Sequence, residues 1–317
     1  MITKNINSIF LSKATLAFKM VLFLLIIVLV FGVIGFSILG PISKGIRADV
    51  AKVGLGHKFA QYVEASLTGN DAENARLVLV DAFTQIDDVM ANWSGEVIAA
   101  IITFILLTIL YAIVYFMSYY TISDILNNFM SSNSEYGFGA NFIANSKKSI
   151  IFALWYTLYI VVMYVVGFAV AIGLGLLIGR ASALLGLFVM YLLVVGTLAL
   201  RRALTPFWLP AMVSKDLSCK DAFYKNMEQI KGRFWKTFGA YFVLYIIGIV
   251  LFIASTLLTF GVAAIFMFSA IWLYLQIRDM VAFYHINGMK YYIDEQTVVD
   301  PTKVYRDAVL DEENFKL

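Results

Sequence analysis

Six long apolar runs divide the chain, at about residues 17–40, 96–120, 150–179, 181–200, 237–258 and 260–283. Each approaches or exceeds the roughly 20 residues that a helix needs to cross the hydrocarbon core of a bilayer. None carries a charge near its centre. Backbone N–H and C=O groups in lipid must be satisfied within the segment itself, so each run is predicted to be a transmembrane helix. Two divisions are narrow: Gly179, Arg180 and Ala181 separate the third run from the fourth, and Thr259, Phe260 and Gly261 separate the fifth from the sixth. Each narrow pair reads either as two full spans joined by a tight turn or as a re-entrant hairpin.

The stretch between the first two runs, residues 41–95, is too polar to enter lipid but is patterned. Leu79, Phe83, Ile86, Met90 and Trp93 recur at spacings of 4, 3, 4 and 3, the seam of a helix. Leu55, Phe59 and Tyr62 begin a similar stripe, and Thr68-Gly69-Asn70-Asp71 between them reads as a stop followed by an N-cap. A helical hairpin is predicted, projecting outward and nearly continuous with the flanking spans. Its apolar seam has two readings: the two arms packing on each other, or a surface for a protein partner.

On the other side, Ser218-Cys219-Lys220-Asp221 reads as a capping box with Asp in the usual Glu place. Phe223, Met227, Ile230 and Phe234 then form one helical face, and Lys220, Lys225, Lys231, Arg233 and Lys236 occupy much of the rest. Residues 218–236 are therefore predicted to form an interfacial amphipathic helix whose cations meet anionic lipid headgroups. The alternative reading is that these cations only fix topology. Residues 136–149, with Phe138, Phe142, Lys147 and Lys148, are a weaker version. Shifted by 82 positions, Met130 meets Met212, Ser132 meets Ser214, Ala140 meets Ala222, Phe152 meets Phe234 and Tyr159 meets Tyr241. These matches suggest a parallel duplication of residues 130–200 in 212–283.

Composition strengthens the membrane reading: 61% of the 317 residues are hydrophobic and 14% charged, with a mean hydropathy of +0.83. Soluble domains stand nearer about 45–50% apolar and about 25% charged. The net charge of +3 matters less than its distribution. Segments on the side of the N-terminus hold 18 of the 24 lysines and arginines, which by the positive-inside rule places both termini in the cytoplasm of a cell (plasma) membrane. Lys4, Lys13 and Lys19 precede the run from Val21 to Leu39, which is too long for a signal peptide and reads as an uncleaved first span. The organisation is thus a first segment and span (1–40), an extracytoplasmic hairpin (41–95), spans two to six with amphipathic inner segments (96–285), and a cytoplasmic tail (286–317). In the tail, Asp300-Pro301 opens a short helix with Val304, Ala308 and Leu310 as its stripe. The fold class expected is all-α.

Candidate chemistry is sparse. Cys219 is the sole cysteine, and His57 and His285 are far apart, so neither a metal nor another cofactor is expected. The basic residues flank spans rather than form a nucleic-acid footprint. Hydrolase, metalloprotease, P-loop and dinucleotide motifs are missing, and an enzyme is not expected. Gly167, Ala171, Gly175 and Gly179 place small residues at every fourth position of the third span, which reads as close helix packing or as a groove for a lipid tail. Arg201 and Arg202 end the fourth span, and Thr205-Pro206-Phe207-Trp208-Leu209-Pro210 follows as a stiff elbow. Arg278 and Asp279 sit near the end of the sixth span, where the arginine is expected to snorkel and the aspartate to pair locally.

The order of proline elbow, capped amphipathic helix and Gly232-Arg233-Phe234-Trp235 resembles the bacterial six-helix membrane domains found alone or fused to glycerophosphodiester phosphodiesterases. The positions that carry the resemblance are Ala222, Asn226, Lys231, Gly232, Arg233 and Phe234, within about residues 120–290. It implies a fold more than an activity. The hairpin at 41–95 departs from that pattern, and no phosphodiesterase activity is implied. The leading expectation is a non-catalytic membrane accessory, scaffold or assembly component that contacts membrane lipids and a protein partner through the hairpin or tail. A transporter or lipid-handling protein for a neutral or lipid-like substrate is the alternative, and a membrane enzyme comes third.

Overall fold

The structure, a computed structural model, describes residues 2–68, 71–134, 137–180 and 182–302. The described elements are α1 (Ile2–Ser12), α2 (Ala14–Val53), α3 (Leu55–Thr68), α4 (Ala72–Asn92), α5 (Ser94–Ser132), α6 (Phe138–Ala144), α7 (Ser146–Gly179), α8 (Ala183–Leu204), α9 (Trp208–Lys215), α10 (Cys219–Ile230), α11 (Phe234–Leu258), α12 (Val262–Ile286), β1 (Tyr291–Tyr292) and β2 (Val298–Val299). The helices α2, α5, α7, α8, α11 and α12 are long and apolar enough to cross a membrane. Two compact units form, one from residues 26–111 and one from residues 1–25 with 112–317.

In the smaller unit two of the helix boundaries among the described residues carry a positive φ. Gly54, at φ +65°, ends α2 in the left-handed region that glycine enters without a Cβ penalty. Asp71 begins α4 at φ +57° and accepts a 2.6 Å hydrogen bond from Asn74 Nδ2, without capping a backbone N–H through its side chain. The arms α3 and α4 pack along each other, and Lys58 Nζ donates to Gln85 Oε1 at 3.4 Å across them. Ala82 is fully buried, and Leu79, Ile86, Val89 and Trp93 are partly so. Trp93 donates its Nε1–H to Asp49 at 3.0 Å, which ties the foot of α4 to α2.

In the larger unit, spans are mostly apolar on all sides, and the most hydrophobic window of α7 is only 17% buried. Lipid does not penalise exposed Leu and Val, so such helices need no full apolar burial. The packed core lies instead where α1, the end of α5, the start of α7, α9, α10 and the end of α12 meet. There Phe129, Phe152, Met130, Phe283 and Tyr284 are essentially inaccessible. The α11–α12 turn is closed by Phe260 and Gly261, both at positive φ, and by Ala263 N donating to Thr259 Oγ1 at 2.9 Å.

Two elements differ from expectation. Residues 2–12 form a separate helix, α1, whose Ile6 and Ile9 are buried against the core and which packs along α12. The tail, expected to hold only a short helix, also holds a two-stranded antiparallel hairpin pairing Tyr291 with Val299 and Tyr292 with Val298, a small addition to an all-α fold. Its turn is set by the Asp294 carboxylate, which accepts from Gln296 N at 2.9 Å and Thr297 N at 2.7 Å. Asn5 Nδ2 donates to the Tyr291 hydroxyl at 2.7 Å, joining both ends of the described chain. Asp300 accepts from Thr302 N at 3.1 Å, while Val304, Ala308 and Leu310 lie outside the described residues.

Candidate functional site

The elbow after α8 poses a bonding problem. Pro206 has no N–H, so the helix ladder stops and leaves the Leu204 carbonyl and the Phe207 N–H unserved. Asn226, fully buried on α10, serves both: its Nδ2 donates to Leu204 O at 2.8 Å and its Oδ1 accepts from Phe207 N at 2.9 Å. A side-chain amide carries a donor and an acceptor on one plane, which is the set this gap requires. Ala222, one turn earlier, has no exposed surface, so a larger residue there would push α10 off the elbow. Trp208 then donates Nε1–H to Cys219 O at 2.8 Å and packs edge-on to Phe223 at 4.9 Å. Burial pushes the Cys219 thiol up to about 11.

Beside the elbow lies a polar knot. Arg202 on α8 meets Asp279 on α12 through Nε at 2.8 Å and Nη2 at 2.6 Å, with both side chains almost fully buried. The other carboxylate oxygen accepts from the Tyr241 hydroxyl on α11. Arg278 lies 3.9 Å over the Tyr241 ring and 3.9 Å from that same oxygen. Tyr119 on α5 faces Arg202 at 5.2 Å and stacks on Tyr156 of α7 at 5.7 Å. The Asp279 carboxylate and the Arg202 guanidinium thus link α5, α8, α11 and α12, and the Tyr119–Tyr156 stack adds α7. A narrow cleft beside it, lined by Tyr119, Tyr156, Arg202, Pro206, Gln276 and Asp279 among others, has room for about one water. Gln276 Oε1 has no protein partner there, although its Nε2 donates to Tyr119 O at 3.3 Å.

No family model, curated protein or solved structure matches this chain. The geometry of its own residues is what bears on function.

The residues singled out in the sequence fall into three places. Ser218 caps α10, accepting from Asp221 N at 3.2 Å while its hydroxyl donates to the Asp221 carboxylate at 2.6 Å. The apolar face of α10 is not free for lipid: Ile230 is buried with Ala222, and Phe223 lies against Trp208. Its cations point elsewhere. Lys220, Lys231, Arg233 and Lys236 are exposed, and Lys225 pairs with Glu228 at 2.8 Å. Gly167 and Gly175 face α8, the backbone of Gly179 lies against Gly186 of that helix, and Ala171 is fully buried. A Cβ on Gly167 would strike Thr197, one on Gly175 would lie 2.8 Å from Met190 Cβ, and one on Gly186 would lie 2.6 Å from Gly179 Cα. On the hairpin, Leu79, Ile86 and Trp93 contribute to the inner seam, whereas Phe83 and Met90 stand 53% and 43% exposed. Asp279 has Arg278 beside it at 3.9 Å, but its closer guanidinium partner, Arg202 at 2.6 Å, lies on another helix. The knot left little trace in the sequence, because nothing local links Arg202, Tyr241 and Asp279. Asn226 was visible only through the Ala222–Asn226 resemblance.

Proposed function

We propose that the chain is a non-catalytic multi-pass component of a bacterial plasma membrane, with cytoplasmic termini, that holds a protein partner through its extracytoplasmic hairpin. The supporting observation is the surplus apolar surface of that hairpin. Its arms already close on Ala82, Leu79 and Ile86, yet Phe59, Val63, Leu77, Val80, Phe83 and Met90 remain exposed. The length of α2, about 60 Å at about 1.5 Å per residue, is about twice the hydrocarbon thickness of about 30 Å. A large part of it stands outside the bilayer and carries the hairpin outward. The polar knot and the Asn226 clamp suit this role, since they fasten helices together. On the cytoplasmic side, the exposed Lys220, Lys231, Arg233 and Lys236 would meet anionic headgroups through charge alone.

A photo-crosslinking residue placed at Phe83 or Met90 tests the reading in intact cells. A discrete protein adduct that disappears when Phe83→Glu and Met90→Glu are combined is the expected result. Adducts to lipid alone, or deletion of residues 55–92 leaving every complex and phenotype intact, would count against it.

A further inference from the structure

Arg201 stands next to the knot but takes no part in it. Its neighbour Arg202 has Asp279, whereas Arg201 has no carboxylate partner among the described residues. Its Nε is buried and has no hydrogen-bond partner among the described residues. Nη2 reaches the Tyr245 hydroxyl at a long 3.4 Å, and the guanidinium carbon lies 5.4 Å from the centre of the Tyr164 ring. The backbone around it is held firmly, with Tyr159 donating to Arg201 O at 2.9 Å.

Arg201 meets Tyr245, one turn further along α11 than the Tyr241 of the knot. Arg201, Tyr164 and Tyr245 are each partly exposed, and Val165, Val243 and Ile247 close to them in sequence are exposed apolar residues. A guanidinium that borders lipid without a counter-ion is costly, and tyrosine hydroxyls and ring faces offset only part of that cost. Locally, Arg202 and Arg278 already share the carboxylate of Asp279, which leaves none for Arg201 among the described residues. What the arrangement lacks is an anion with oxygens for a planar fork of N–H donors, and a phosphate supplies it.

We infer that Arg201, assisted by Tyr245 and Tyr164, seats the phosphate of a membrane phospholipid at the lipid-facing seam of α8 with α7 and α11. The site is separate from the exposed lysines of residues 218–236, which would attract anionic lipid without fixing a single molecule. It is also independent of whether the hairpin binds a protein.

The test uses the full-length chain, purified in a mild neutral detergent, delipidated, and titrated with phosphatidylglycerol under native mass spectrometry. One phosphatidylglycerol should bind ahead of the rest, and diacylglycerol with the same chains should not. Arg201→Gln should weaken that first binding about tenfold, as loss of one charge-assisted contact implies. Tyr245→Phe, which keeps the packing and removes one hydroxyl, should weaken it by a smaller factor, and it carries the test if Arg201→Gln fails to fold. Lys231→Gln combined with Lys236→Gln should leave the first binding unchanged. Equal first binding by Arg201→Gln or by diacylglycerol, or its loss in the Lys231/Lys236 pair, would overturn the inference. Displacement of the lipid by an equal concentration of inorganic phosphate would overturn its assignment to a lipid headgroup.

Discussion

Asp279 shows how much rests on single atoms in this fold. Its carboxylate is the shared acceptor for Arg202 and Tyr241, and all three side chains are buried. Removing one member of a buried pair strands the other charge, at about 3–5 kcal/mol, whereas replacing both by apolar residues is often nearly neutral. Asp279→Asn should therefore lower the melting temperature of the purified protein sharply. Arg202→Met combined with Asp279→Leu should restore much of that loss, and a thermal-unfolding double-mutant cycle in detergent checks both. Asn226→Ala should also destabilise, by about 2–4 kcal/mol, because the Leu204 carbonyl and the Phe207 N–H would each lose a partner in the core. Cys219 gives a pH prediction with a definite sign. A thiol pushed up to about 11 by burial stays protonated at neutral and mildly alkaline pH. Since the thiolate is the nucleophile, maleimide labelling of the native chain should be slow at pH 7, remain slow at pH 9, and rise only toward the shifted value.

Between elements, small residues decide which helices meet. Gly175→Leu would drive a side chain into Met190 and the Gly186 carbonyl, and overpacking of this kind costs about 1–3 kcal/mol or more. The α7–α8 pair should separate, read as new cross-linking between cysteines placed on other faces or as a lowered melting temperature. The hairpin makes the complementary point. In sequence its most conspicuous seam is Leu79, Phe83, Ile86, Met90 and Trp93, but the arms close on Leu79, Ala82, Ile86 and Val89 with Trp93 at the foot. Both stripes have helical spacing. Large apolar residues make the first easier to see, while Ala82 lets the backbones approach closely. Ala82→Trp should consequently open the hairpin to protease, and Phe83→Gln should leave it resistant. The cap of α10 was legible because Ser218 and Asp221 lie within one turn, and capping chemistry is local. The partner of that helix was not, since its apolar face suits protein and lipid equally well.

For the molecule as a whole, the topology proposed from charge placement is open to a direct test. In a Cys219→Ser background, Asp71→Cys should react with a membrane-impermeant maleimide on intact cells, and Lys231→Cys should react only after permeabilisation. Labelling in the reverse pattern would invert the chain and remove the outward hairpin. The sequence by itself determined that the chain is helical, with six helices among the described residues able to span a membrane, where the tight turns fall, and that Ser218 starts a helix. These depend on run length, apolarity and residues a few positions apart, which are written consecutively. Tertiary structure alone decided that Asn226 serves the broken ladder at Pro206, that Arg202 finds Asp279, and that Arg201 is left without a counter-ion among the described residues. The reason is physical. In water the apolar stripe of a helix marks its buried face, but a spanning helix is apolar all round, so periodicity no longer says which side meets protein. The side that meets protein is then selected by a few small or polar residues, whose partners lie far away in the chain.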